Sequence, residues 1–422
     1  MLDKTLIRNI SSLFSIRVAG YIIPLITLPY LVRVLNPEGY GTLALCLAVV
    51  QYFIIAVNYG FDLSATQKVA QNKHDKDETS TIYWNVISAR LILSFLGLIV
   101  LAALTSFVPK LAPLQTILYC CYLAVFGAAL FPQWIFQGKE QLGTISVIRI
   151  IVQVVSIPLF FVFVKSANDI WIAALVTSAP QLGIVIFSSV IIYKRKWVCW
   201  RKPRLANIML ELKDGWHLFI SSAAVSLYTT STTVILGFLT GPISVGIYVS
   251  ANKLLQAAQG VYAPISSSFY PRINSLMKED KSQALVMIRY LMKCQCLITL
   301  AIGVLLFALS PCLIDILFGA GYERSIIVLK IMSVLPIVIG LSNIFGIQVL
   351  LTHGFKKEFS RILLFSGVVS LTTLIPLCLT LDAVGAALSV VITEVIVTVL
   401  MFITIKMKNI PLFKNSGLQN EI

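Results

Sequence analysis

Arg17, Arg90 and Arg149 each interrupt an otherwise apolar stretch, and Asp62 and Lys68 close another. A guanidinium is planar and donates two parallel hydrogen bonds, so three of them beside an ammonium suit a phosphate or diphosphate. Asp62 is then either their counter-ion or a proton carrier. On a helix rising 1.5 Å per residue, Arg17 and Arg149 enter about 6 Å and Arg90 about 12 Å from the start of their stretches. These groups share one depth and predict a cation-lined vestibule. Arg17 and Arg149 can also reach headgroups by extending their side chains, whereas Arg90 lies too deep for that.

Further polar groups sit in apolar surroundings. Gln133, Trp134 and Gln137 are amide and aromatic groups of the kind that hold sugars, and equally of the kind found at a membrane interface. The hydroxyl run Ser226 to Thr233, with Thr230 and Ser231 at its centre, covers every face of a helix, so lipid is not its sole neighbour. Glu394 stands alone in the last apolar stretch as a protonatable site or a buried neutral acid. Gly20, Pro24 and Pro29 fall within the first stretch and predict a bent or broken helix that serves as a gate.

Other chemistry lacks its residues. The eight cysteines have no zinc-ligand spacing. Gly138-Lys139 is followed by Glu140, so no phosphate-cradling loop binds ATP, and energy for any work must come from a gradient. His353 and Glu358 have the H-x4-acid spacing of an acyltransferase but no supporting constellation. A membrane glycosyl-polymerase needs a sizeable outer loop, and none is available. The expectation is a protein that is not an enzyme and takes no cofactor or metal.

The elements that position these residues follow from composition. The chain has 422 residues, 58% hydrophobic and 12% charged, with mean hydropathy +0.90. Ordinary soluble domains are roughly 25% charged, so lipid is the solvent here. Spanning about 30 Å of hydrocarbon takes roughly 20 apolar residues as helix. Twelve such spans are predicted: 13–35, 42–64, 82–107, 114–136, 145–164, 170–192, 216–239, 244–268, 290–317, 326–351, 359–380 and 383–405. The net charge is +15. Basic residues crowd both tails and the even-numbered loops, while the odd loops hold Lys110, Lys165 and Arg324. The positive-inside rule therefore places both termini in the cytoplasm. Bases spread over short loops do not form a nucleic-acid surface.

Residues 193–215 form the longest hydrophilic connection, with Trp197 and Trp200 among lysines and arginines, and divide the chain into lobes 1–192 and 216–422 of six helices each. Leu35-Asn36-Pro37 with Gly41 is echoed by Thr240-Gly241-Pro242 with Gly246 at an offset of 205 residues. Six is an even number, so the lobes form a parallel repeat about an axis along the membrane normal. The predicted fold class is an all-α polytopic membrane protein of about 12 transmembrane helices.

Asn36-Pro37-Glu38-Gly39-Tyr40-Gly41, Asn58-Tyr59-Gly60-Phe61-Asp62-Leu63-Ser64-Ala65-Thr66 and Phe131-Pro132-Gln133-Trp134-Ile135-Phe136-Gln137-Gly138 carry a resemblance. In these words, and over essentially its full length, the chain resembles the bacterial O-antigen flippases of the Wzx type. These belong to the polysaccharide-exporter (multidrug/oligosaccharidyl-lipid/polysaccharide) superfamily. The resemblance implies a V-shaped pair of six-helix lobes in the bacterial inner membrane. It implies transfer of undecaprenyl-diphosphate-linked repeat units to the periplasmic leaflet by alternating access, driven by a proton or sodium gradient. It also implies a cationic first-lobe lumen for the pyrophosphate, portals flanked by helices 1 and 7, and polysaccharide polymerase and chain-length proteins as partners. A multidrug cation antiporter of the related branch is the alternative, but it would favour intramembrane acids over the bases found here.

Overall fold

A computed structural model describes the backbone of residues 4–73 and 75–413. Side chains are described except in 4–25, at 142, and at scattered positions within 217–229 and 263–271. The described residues form helices and connecting turns with no strand. In chain order the helices are α1 Lys4–Asn58, α2 Phe61–Gln71, α3 Lys76–Phe107, α4 Gln115–Leu130, α5 Gln133–Gly138, α6 Leu142–Phe163 and α7 Ile170–Lys194. After residues 195–204 come α8 Leu205–Thr240, α9 Pro242–Glu279, α10 Lys281–Phe318, α11 Glu323–Met332, α12 Leu335–Asn343, a π-helical segment Ile344–Leu351, and α13 Lys356–Met407.

The twelve expected spans are packed into fewer continuous helices. A straight helix of 55 residues would measure about 80 Å, against about 30 Å of hydrocarbon. α1 breaks at Asn36 (φ 59°, ψ 171°), and the residues on both sides of the break line one cavity, so its two segments lie side by side. α13 breaks at Asp382 (φ 52°) in the same way. There the chain doubles back so tightly that a Cβ on Gly385 would stand 1.9 Å from the Leu377 carbonyl oxygen. Asn and Asp are the non-glycine residues that best tolerate such positive φ. The span expected at 326–351 is divided among α11, α12 and the π-helical turn.

Among the described residues, eight helical stretches are long and apolar enough to cross a membrane, two of them, Ile26–Gln71 and Lys356–Met407, long enough to do so twice. α8 contributes only the shorter apolar stretch Thr230–Thr240, and α9 none. Asn252, Lys253, Gln256 and Gln259 interrupt α9.

The apolar cores show how the halves meet. One large core takes residues from both halves, from Leu28 and Leu43 through Val245 and Leu255 to Leu329 and Ala386. At the other end two separate cores form. One belongs to the first half, around Phe61, Val86, Trp134 and Ile184, and one to the second, around Ile288, Phe345, Met401 and Leu412. The molecule is joined at one end and parted at the other. Its joined end holds the turns at Asn36 and Gly241; the parted end holds the basic loops.

At the parted end, 195–204 straps onto the first half. Trp200 meets Trp84 edge-on at 4.4 Å, Trp197 meets Phe136 at 5.3 Å, and Arg201 pairs with Asp77 at 2.7 Å.

Candidate functional site

Asp62 lies in the first turn of α2, just after Tyr59 (φ 47°) and Gly60 (φ 79°) swing the chain out of α1. Its Oδ1 accepts a 2.8 Å hydrogen bond from Arg90 Nη2. Arg90 Nη1 also donates to the Ala128 and Phe131 carbonyls at 3.3 and 3.2 Å, at the C-terminus of α4. Such carbonyls lack intrahelical partners and carry the negative end of the helix dipole, so a cation there is doubly favoured. The Phe61 ring centre lies 5.7 Å from the guanidinium. Arg90 is 1% exposed and Asp62 40% exposed. Arg90 thus meets the cavity only at its edge, almost wholly covered. α3 aims it at the end of α4, where it ties α2, α3 and α4 together, and Nε alone of its nitrogens is without a partner.

Arg149, on α6, is differently placed. Nη2 donates to Gln133 Oε1 at 2.9 Å, and the guanidinium lies 4.9 Å from the Phe131 ring centre. It is half-buried and makes no ion pair among the described residues. A cavity of about 440 Å³ is lined by both arginines, Asp62 and Gln133. Asn58, Gln153 and Gln181 add amides, Leu28, Leu43 and Phe160 add an apolar wall, and α9 of the second half adds Lys253. The Lys253 ammonium reaches the Gln256 Oε1 at 3.4 Å and likewise makes no ion pair among the described residues. Three cations thus face one carboxylate in a cavity set among membrane-crossing helices.

The remaining expected site residues are scattered. Trp134 is fully buried in the first half's core beside Tyr83, and half-buried Gln137 does not line the cavity. Lys68 bonds Glu211 at 2.9 Å and Asp214 at 2.8 Å on the first turns of α8, within the connection between the halves. Burial pushes the Glu211 carboxyl above the usual carboxylate range, with the Lys68 ammonium pulling the other way. Ser231 is buried with its hydroxyl 2.8 Å from that of Tyr52; neither it nor half-buried Thr230 lines the cavity. Glu394, on α13, is half-buried away from the cavity and makes no ion pair among the described residues. Pro29 lies half-buried in continuous helix. The side chains of Arg17, Gly20 and Pro24 lie outside the described residues.

The cavity residues not picked out as site residues from the sequence include the amides Asn58, Gln153 and Gln181 and the cation Lys253. Gln153 stands four residues after Arg149 and so shares its helix face, a signal that was there to be read. Lys253 is conspicuous as a base inside a span, but nothing in its spacing ties it to residues of the other half.

Paired helical halves around a largely apolar cavity that carries charged and amide groups define a polytopic α-helical membrane protein of the kind that encloses a path between leaflets. The chain belongs to the polysaccharide biosynthesis protein family, which it matches over residues 6–277. It is 38% identical, over 94% of its length and 96% of the relative's, to an Escherichia coli K12 protein named "Putative O-antigen transporter". A Shigella dysenteriae protein of the same name is 33% identical over 94% of this chain and all of the relative. The fold is similar to that of the lipid II flippase MurJ, with TM-score 0.74, 14% identity, and 93% and 87% of the two chains covered. It is also similar to an inward-facing multidrug resistance MATE family transporter, with TM-score 0.72, 14% identity, and 94% and 100% covered.

Proposed function

We propose that this protein is a flippase, not an enzyme. Its cargo is the undecaprenyl-diphosphate-linked repeat unit of O-antigen or a related polysaccharide, moved from the cytoplasmic to the periplasmic leaflet of the bacterial inner membrane. The carrying observation is the charge of the cavity: Arg90, Arg149 and Lys253 against Asp62 leave an excess of two positive charges at membrane depth. Unpaired charge there is costly and is retained where it meets a counter-charge. A diphosphate supplies one. Arg149 is its main receptor, because its fork is not committed to a carboxylate; Arg90 holds Asp62 and the end of α4 in place. Gln133, Gln153 and Gln181 are suited to the first sugar. An organic cation, the cargo of a multidrug antiporter, would be repelled by the same excess.

The halves 1–192 and 216–422 act as two six-helix lobes joined through 193–215, with both termini cytoplasmic, and a proton or sodium gradient drives them. Glu394 is the better candidate for coupling, since Asp62 is already paired with Arg90. Gly20, Pro24 and Pro29, in a stretch that is continuous helix here, let the first helix bend as the gate moves, and Arg17, Lys68, Thr230 and Ser231 flank the route. Polysaccharide polymerase and chain-length proteins are the expected partners on the far side.

Deletion of the gene tests the reading. Lipid-linked single repeat units should accumulate on the cytoplasmic face, and the intact gene should release them. Loss of drug export with normal polysaccharide would point to the antiporter, and normal single-unit transfer with no chain extension to the polymerase.

A further inference from the structure

We propose that Gly41 and Gly246 form a backbone-to-backbone seal which holds the joined end of the molecule shut, and that opening the cavity toward that end requires these two turns to part. The contact is reciprocal. A Cβ on Gly41 would stand 1.8 Å from the Pro242 carbonyl oxygen, and a Cβ on Gly246 would stand 2.1 Å from the Pro37 carbonyl oxygen. Pro37 and Pro242 differ by the same 205 positions as Gly41 and Gly246. Residue contacts its partner's counterpart and the converse, which is the signature of a two-fold, self-complementary interface, here between two halves of one chain.

The two turns share a backbone form as well as a sequence, with Asn36 at φ 59°, ψ 171° and Gly241 at φ 92°, ψ 177°. No side chain fits between them. Small residues let helices approach this closely in lipid, and each glycine Cα then lies no more than about 3.6 Å from a carbonyl oxygen, within the range of a Cα–H···O bond. The ties around the contact also end on carbonyls: Arg33 donates to Ile316, Tyr322 to Val32 at 3.3 Å and Lys110 to Phe238 at 2.5 Å. No ion pair among the described residues crosses this end between the halves. Packing and backbone acceptors thus hold the seal, and no charged pair has to be desolvated or broken when it opens. The shared apolar core lies beneath it, whereas the parted end has a separate core in each half.

A labelling measurement on the full chain in nanodiscs tests this and depends on no assumption about cargo. The eight cysteines are replaced by serine and a reporter is introduced as Thr42→Cys, at a position now 7% exposed beside the seal. With both glycines in place the reporter should react slowly with a water-soluble maleimide. Gly41→Ala or Gly246→Ala should speed labelling by about tenfold, since a methyl forced into a packed contact must displace one side. Gly143→Ala, where a Cβ meets nothing within 4 Å, should leave it unchanged. Unchanged labelling in a monodisperse Gly246→Ala protein, or an equal rise in Gly143→Ala, overturns the proposal. Should the alanine variants not fold, Arg33→Cys with Ile316→Cys decides on an intact seal: a reducible bifunctional thiol cross-linker long enough to replace the Arg33 side chain should keep the Thr42→Cys reporter slow under every condition that otherwise speeds it. A cross-linked protein whose reporter still speeds up would overturn the seal equally.

Discussion

The same turn opens both halves of the chain, yet the interiors behind the two turns differ in chemistry. The first half collects Arg90, Arg149, Asp62 and several amides around one cavity. The second holds buried hydroxyls and amides, such as Gln295, Thr299 and Gln348, and the isolated acid Glu394. It sends just one cation, Lys253, across to the first half's cavity. Duplicated backbone geometry therefore does not bring duplicated function with it. One half gathers cations around a cavity, and the other keeps a lone acid apart from it.

Substitutions sharpen or break this contrast. Arg149→Ala should have the largest effect, lowering transfer of lipid-linked units about a hundredfold at normal abundance, since a charge-assisted contact contributes about 2–3 kcal/mol. Arg149→Lys should recover part of it. Export at the wild-type rate from Arg149→Ala would remove the anion site from the first half.

Glu394→Gln should be next. Binding of the lipid-linked unit should persist while the response of transfer to an imposed proton or sodium gradient disappears. A retained response would return the coupling role to Asp62 and erase the contrast between halves. Arg90→Ala should act through the fold, leaving Asp62 and the Ala128 and Phe131 carbonyls without their donor. A loss of about 2–3 kcal/mol, read as reduced thermal stability, is expected. Asp62→Asn should cost less, because its amide oxygen still accepts and Asp62 is partly solvated. Normal stability with lost transfer in Arg90→Ala would instead make Arg90 a direct phosphate ligand.

The smallest effect is expected at Lys68. Lys68 and Asp214 are partly exposed, and buried Glu211, its carboxyl already pushed up by burial, can take a proton when its partner is lost, so Lys68→Ala should change stability by about 1 kcal/mol or less, with the difference shrinking as salt is raised. A large, salt-independent loss would show that this contact with the connection between halves matters more than its exposure implies.

Much of this was legible in the chain. Apolar runs too long and too numerous for a water-facing globule required helices in lipid, because backbone groups there must be satisfied within the helix itself. The Asn36-Pro37…Gly41 and Gly241-Pro242…Gly246 words marked the repeat, since few residues tolerate the positive φ that each turn adopts. Arg90 and Arg149 were visible as charges that lipid would not retain without reason. Their division of labour was not, because it depends on which helix end each side chain meets. Arg90 happens upon the carbonyls that terminate α4, and Arg149 upon an amide. Lys253 reaches their cavity from more than a hundred residues away, and Trp134, though it stands beside Gln133 in sequence, turns into the core. Helical periodicity sets which face a residue occupies. Only the packing of one helix on another decides whether that face meets lipid, a carboxylate or an open cavity, and distances across the chain are set by that packing alone.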